Sequence, residues 1–109
     1  MTSKAEYQPD RGPYTYWDNL TSDNIKAIDS MLLKFPDQYT SKTIEGKPGG
    51  DYKRMTFIRS RTSNQFFSSM FVKERFDGTY KVCLDHEAAT RLGDSLGTPS
   101  RSTDSDEGW

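Results

Sequence analysis

A proline at position 36 divides this chain between two hydrophobic periods. Upstream of it, Ile25, Ile28, Leu32 and Phe35 recur at three- and four-residue steps with Met31 beside them, which places them on one face of a helix. Thr21 is suited to cap that helix. Leu20 and Ile25 then take the positions of a hydrophobic staple, and Pro36 stops the helix at Lys34 or Phe35. Downstream, β-branched and aromatic residues dominate in short runs broken by turn chemistry. Four strands fit, at residues 39–45, 52–60, 65–75 and 79–84, separated by Gly46-Lys47-Pro48-Gly49-Gly50, by residues 61–64 and by Asp77-Gly78. Asp-Gly between alternating strands is a strong hairpin signal, because both residues of a tight turn must reach positive φ. Asp85 can then accept hydrogen bonds from the free amides of a second helix, along which Ala88, Ala89, Leu92 and Leu96 form an apolar stripe ended by Gly97. The pattern predicts an α+β fold: an N-terminal helix, a four-stranded antiparallel sheet, a C-terminal helix and a disordered acidic tail.

These elements predict a single α+β domain over residues 19–97. Residues 1–18, rich in Pro, Gly, Tyr and charge without a period, read as an extended arm outside the core, with Tyr14, Tyr16 and Trp17 free to dock on the domain. Residues 98–109 have almost nothing to bury and read as a disordered tail. Hydrophobic residues make up 32% of the chain, against roughly 45–50% in an ordinary globular protein when glycine is counted in. The core is therefore expected to be thin and helped by self-association, with a homodimer the simplest form. No apolar run approaches the roughly 20 residues that span a bilayer, and the first residues have no apolar stretch of the secretory kind. Cys83 is the only cysteine, which excludes an internal disulfide. A cytoplasmic location is expected, that of the host if the chain is viral.

The net charge of −1 hides a strong asymmetry. Residues 1–39 carry 4 Lys/Arg and 6 Asp/Glu, residues 40–82 carry 9 and 4, and residues 83–109 carry 2 and 6, for net charges of −2, +5 and −4. The basic segment also interleaves its cations with aromatic residues. Lys53, Arg54, Phe57, Arg59, Arg61, Phe67, Phe71, Lys73, Arg75 and Tyr80 are the candidate binding residues, with Tyr52, Phe66, Phe76 and Lys81 in the same mixture. A single-stranded nucleic acid needs cations along its phosphates and flat apolar faces for its unstacked bases, each stack being worth about 1–3 kcal/mol. Strand alternation sets Tyr52, Arg54, Thr56 and Ile58 against Lys53, Met55, Phe57 and Arg59. It also sets Phe67, Ser69, Phe71 and Lys73, the better exposed platform, against Phe66, Ser68, Met70 and Val72, the better core set. A second reading stays open, in which the same aromatics fill a thin core beneath a solvated charged face.

The chain ends in Asp104, Asp106, Glu107, Gly108 and Trp109. An acidic peptide with one large aromatic anchor can bind a partner's basic-rimmed pocket, or compete with an anionic ligand for the protein's own basic surface; it can equally serve only for solubility. The arrangement resembles the acidic tips of bacterial and phage single-stranded-DNA-binding proteins, a resemblance that implies recruitment of replication enzymes. The order of elements from Tyr39 to Leu96, with the stretches RMTFIRSR, FVKER and YKVCLDHEAATRL, resembles the positive-cofactor-four-like single-stranded-DNA-binding coactivators. That likeness implies a dimer whose strands form a groove for single strands. The helix before Pro36 lies outside that family's module.

Signals for catalysis are weak. Cys83 and His86 stand in C-x-x-H spacing with Asp85 between them, and the chain has no other cysteine or histidine, so a metal would need carboxylates or a second subunit. Residues 46–50 look like a phosphate loop, but the lysine precedes the glycine pair, and a flexible hairpin turn fits better. Glu45, Asp51, Glu74 and Asp77 fall at strand ends or turns, where carboxylates are usually solvated. No cofactor is implied. The expectation is a non-enzymatic protein that binds single-stranded nucleic acid, DNA in preference, in a phage or a replication or recombination system. The alternative is a small adaptor or inhibitor, a phage-encoded nucleic-acid mimic among its forms, that turns the aromatic face toward another protein.

Overall fold

The computed structural model describes residues 14–62 and 65–103. The elements are β1 (Tyr14–Leu20), α1 (Ser22–Lys34), β2 (Tyr39–Glu45), β3 (Arg54–Thr62), β4 (Gln65–Glu74), β5 (Tyr80–Asp85), α2 (His86–Leu92) and β6 (Arg101–Thr103). The strands form one antiparallel sheet in the order β2-β3-β4-β5-β1-β6. The mixed class with two helices agrees with the sequence. The expected four-stranded sheet does not, because strands from both ends of the chain join it.

The first correction concerns the arm. Residues 14–20 are a sheet strand between β5 and β6, with Tyr14, Tyr16, Trp17 and Leu20 all buried. Their alternation is a strand period that the surrounding Pro, Gly and charge disguised. The strand also bulges: Trp17 pairs with Val82 and Leu20 with Tyr80, while Asn19 turns to a φ of 55° and its amide donates to Asp18 Oδ1 at 2.7 Å. The bulge sends Leu20, rather than Asn19, into the core. At the other end, residues 101–103 pair with Tyr16, Thr15 and Tyr14 and are therefore not part of a disordered tail. Residues 104–109 lie outside the described residues, as do 1–13.

Both helices pack on one face of the sheet. There Trp17, Leu20, Ile28, Met31, Tyr39, Ile58, Met70, Val72, Val82, Leu84, Ala88, Leu92 and Leu96 form the main core, with Ile25, Leu32 and Phe35 against it. The apolar stripe of α1 is thus the buried one, and Leu33, off the stripe, is 81% exposed. Asn24 Oδ1 accepts from the Thr21 amide at 3.0 Å and closes the first turn, and Asn24 Nδ2 donates to Ser95 O at 3.2 Å, joining that turn to the segment after α2. Asp85 caps α2 as expected, its Oδ1 accepting from the Ala88 amide at 2.9 Å. The helix is shorter than the stripe suggested. It ends at Gly93, whose φ of 59° is left-handed, and Leu96 reaches the core from the loop. The Trp17 indole donates to Gly97 O at 3.2 Å and holds that loop down.

The Asp77-Gly78 hairpin also forms, with a different turn. Gly78 N–H donates to Arg75 O and Arg75 N–H to Thr79 O, and only Gly78, at φ 90°, has positive φ. This is a three-residue loop of a type I turn closed by a glycine bulge, in which Asp77 accepts from the Thr79 amide and hydroxyl instead of adopting positive φ itself. Thr79's hydrogen bonds hold the Asp77 carboxyl below its ordinary range. No helix among the described residues is long and apolar enough to cross a membrane.

Candidate nucleic-acid interface

With α1 and α2 on one face, the opposite face of the sheet is the candidate site, and the cross-strand register decides which side chains reach it. One row runs across the sheet through Lys42, Phe57, Phe71, Cys83, Tyr16 and Arg101. The row beside it holds Ile44, Met55, Lys73 and Lys81, and on the other side Thr40 pairs with Arg59. Alternation along β3 adds Arg61 to the same face. Lys42, Arg59, Arg61, Lys73 and Lys81 therefore share the helix-free face.

The opposed rows carry two of the sheet's carboxylates, Glu45 and Glu74. Glu45, Arg54, Glu74 and Tyr80 stand in register across the helix-covered face. Arg54 Nε donates to Glu45 at 3.0 Å and its Nη1 to Glu74 at 3.0 Å. The hydrogen bond Arg54 donates to Glu45, and then the charges of Glu45 and Glu74, push the Arg54 pKa further up. Tyr80's pKa is raised by burial and by Glu74. Arg54 and Tyr80 are thus removed from the candidate site: both belong to a polar cluster under α1 with Asp29 and Thr56 around a cavity of about 210 Å³.

The remaining sequence candidates divide further. Lys53 reaches Glu74 at 4.0 Å, and Arg75 makes a two-pronged pair with Asp18 at 2.7 and 3.2 Å. These cations lie at the strand ends, engaged with carboxylates. The Arg75 hydrogen bond holds the Asp18 carboxyl below its ordinary range, against the opposing effect of burial. Phe57, Arg59, Arg61, Phe71 and Lys73 are brought together, but Phe71 is 6% exposed and cannot serve as an open platform. Lys73 Nζ lies 4.4 Å above its ring and 5.3 Å from that of Tyr52. Phe57 and Tyr52 are half-buried beside these cations, and Phe76, in the Asp77-Gly78 hairpin loop, is exposed. A bulge in β4 displaces Phe67: Ile58 pairs with Met70 but Arg59 with Ser68, so Phe66 rather than Phe67 stands opposite Arg61. Phe67 stands opposite Ser60, on the register of the other face.

Lys42 and Lys81 were missed as site residues. Lys42 lies in a strand outside the densest basic run, and its place beside Phe57 follows only from the register. The tail candidates Asp104, Asp106, Glu107 and Trp109 lie outside the described residues. Cys83 is fully buried in the central row and His86 is exposed at the start of α2. Among the described residues no group of three or more His, Cys, Asp or Glu side chains is placed to hold a metal. Comparison of the chain with protein-family models, with curated proteins and with solved structures finds no match in any of the three.

Proposed function

We propose that this chain binds single-stranded nucleic acid along the helix-free face of its sheet and acts by binding rather than by catalysis. The observation that carries the reading is the gathering of cations by register: Lys42, Arg59, Arg61, Lys73 and Lys81 on one face, with Glu45 and Glu74 on the other and Asp85, at the end of β5 on the cationic face, buried as the cap of α2. Like charges at opposed positions, as at Lys73 and Lys81, oppose strand pairing. A polyanion laid across them turns that repulsion into attraction. Phe57 and Tyr52 add flat apolar surface between the cations, which suits unstacked bases better than a closed duplex. DNA is preferred to RNA on the two family resemblances alone.

The test is a titration of fluorescent oligonucleotides at several salt concentrations. Engagement of about 3–5 phosphates gives a log–log slope of roughly −2 to −3.5. Lys42→Ala and Lys73→Ala each make that slope shallower by about 0.7, and Phe57→Ala weakens binding with the slope retained. Absence of binding at low salt overturns the proposal and leaves a protein partner as the occupant of this face.

A further inference from the structure

Among the described residues the sheet has one long open edge, and its chemistry is self-complementary. β2 is the terminal strand, seven residues paired to β3 without a bulge, and every residue from Thr40 to Glu45 is exposed. The devices that normally blunt an edge are missing: it has no proline, no bulge, and one Lys balanced by one Glu. Exposure of Ser41, Thr43 and Glu45, which lie on the helix-covered side, means that neither helix overhangs this edge.

The direction of the free backbone groups follows from the pairing. Gly46 N–H donates to Lys53 O at 2.9 Å and Arg61 N–H to Gln38 O at 2.8 Å, so the even-numbered residues of this segment bond to β3. In an antiparallel ladder the alternate residues point their N–H and C=O the other way. Ser41, Thr43 and Glu45 therefore present theirs at the open edge, while the Tyr39 N–H is taken by Phe35 O at 3.2 Å. A second copy related by a two-fold axis normal to the sheet, centred on Thr43, pairs Thr43 with its mate, Ser41 with Glu45 and Lys42 with Ile44. All outward groups from Ser41 to Glu45 are then satisfied, and each Lys42 stands opposite Ile44 rather than opposite the other copy's lysine. Centring the axis on Lys42 would put two lysines face to face and use backbone groups already bonded to β3.

We propose that this chain self-associates through antiparallel β2–β2 pairing centred on Thr43. Because the axis is normal to the sheet, both helix-free faces lie on the same side of the joined sheet, and the two Lys42 side chains bring the cationic faces together at the seam. The pairing does not depend on what those faces bind. A single strand pair is a small interface, which places it at the transient end of the size range.

Sedimentation equilibrium over a concentration series tests this. The expected result is a monomer–dimer equilibrium with micromolar dissociation; a monomer throughout, up to about 1 mM, overturns it. Thr43→Pro removes an outward donor while sparing the β2–β3 bonds, and weakens association at least tenfold with the far-ultraviolet dichroism unchanged. A dimer that survives this change refutes the edge as the interface. A second pair of variants holds if Thr43→Pro misfolds. Ile44→Lys places like charges opposite each other and weakens the dimer several-fold, whereas Ile44→Glu faces Lys42 and preserves or tightens it. Equal effects of the two Ile44 variants overturn the register.

Discussion

At the scale of single residues, Lys53, Arg54 and Arg75 of the basic segment pair with carboxylates, and acid titration exposes one of these pairs. Asp18 grips Arg75 across the β1 bulge, and this lowers the folded carboxyl's pKa below its unfolded value. A group whose pKa is depressed by folding stabilises the protein fully above its unfolded value and loses that contribution as pH falls through the folded one. The window therefore opens below about pH 4. The two side chains are 29% and 26% exposed, so screening keeps the pair near the surface value, about 1 kcal/mol. Asp18→Asn is expected to lower stability by about that much at pH 7 and to lose correspondingly less between pH 4 and pH 2, as measured by urea unfolding. A parallel pH dependence in wild type and variant would dissociate Asp18 from the acid sensitivity.

Among the elements, turns carry constraints that composition conceals. Gly46 closes the end of β2, and a Cβ built there would lie 1.9 Å from the Tyr52 carbonyl oxygen. That atom is backbone, close to the Gly46–Lys53 hydrogen bond, so relief requires the β2–β3 connection to open. Gly46→Ala is expected to cost about 2 kcal/mol, within the range for overpacking, with a matching fall in the urea midpoint. An unchanged midpoint would mean that the connection yields freely. The same locality explains what the sequence could disclose. α1 was legible because its stripe, cap and proline stop are all written within one segment, and β2 because its run is bounded by turn residues on both sides. β1 was not, since its burial depends on β5, more than sixty residues away in sequence. β6 depends likewise on β1. The candidate site was legible in composition and incomplete in membership: Lys42 enters and Arg54 leaves by register, and the β4 bulge resets Phe67 against Ser60, none of which a single strand's alternation contains.

For the whole molecule, the sheet works as a partition across β2, β3 and β4, where Glu45 and Glu74 lie on the helix-covered face and Lys42, Arg59, Arg61 and Lys73 on the other. Removing a cation must then have opposite consequences according to side. Arg54 bridges Glu45 and Glu74, and Glu74 is only 15% exposed, so Arg54→Ala leaves a poorly hydrated carboxylate without its short guanidinium contact. Lys42 is exposed on the free face and spends nothing on the core. Arg54→Ala is expected to lower the thermal midpoint while leaving the salt slope of oligonucleotide binding intact. Lys42→Ala should leave the midpoint within about a degree or two and flatten that slope. Both residues lie in the same basic segment and carry the same charge, so net-charge arguments predict equal losses of binding for the two. Scanning calorimetry alongside the salt titration separates the cases. A slope that flattens equally in both variants would show that the ligand responds to total charge and that the partition by face plays no part in binding.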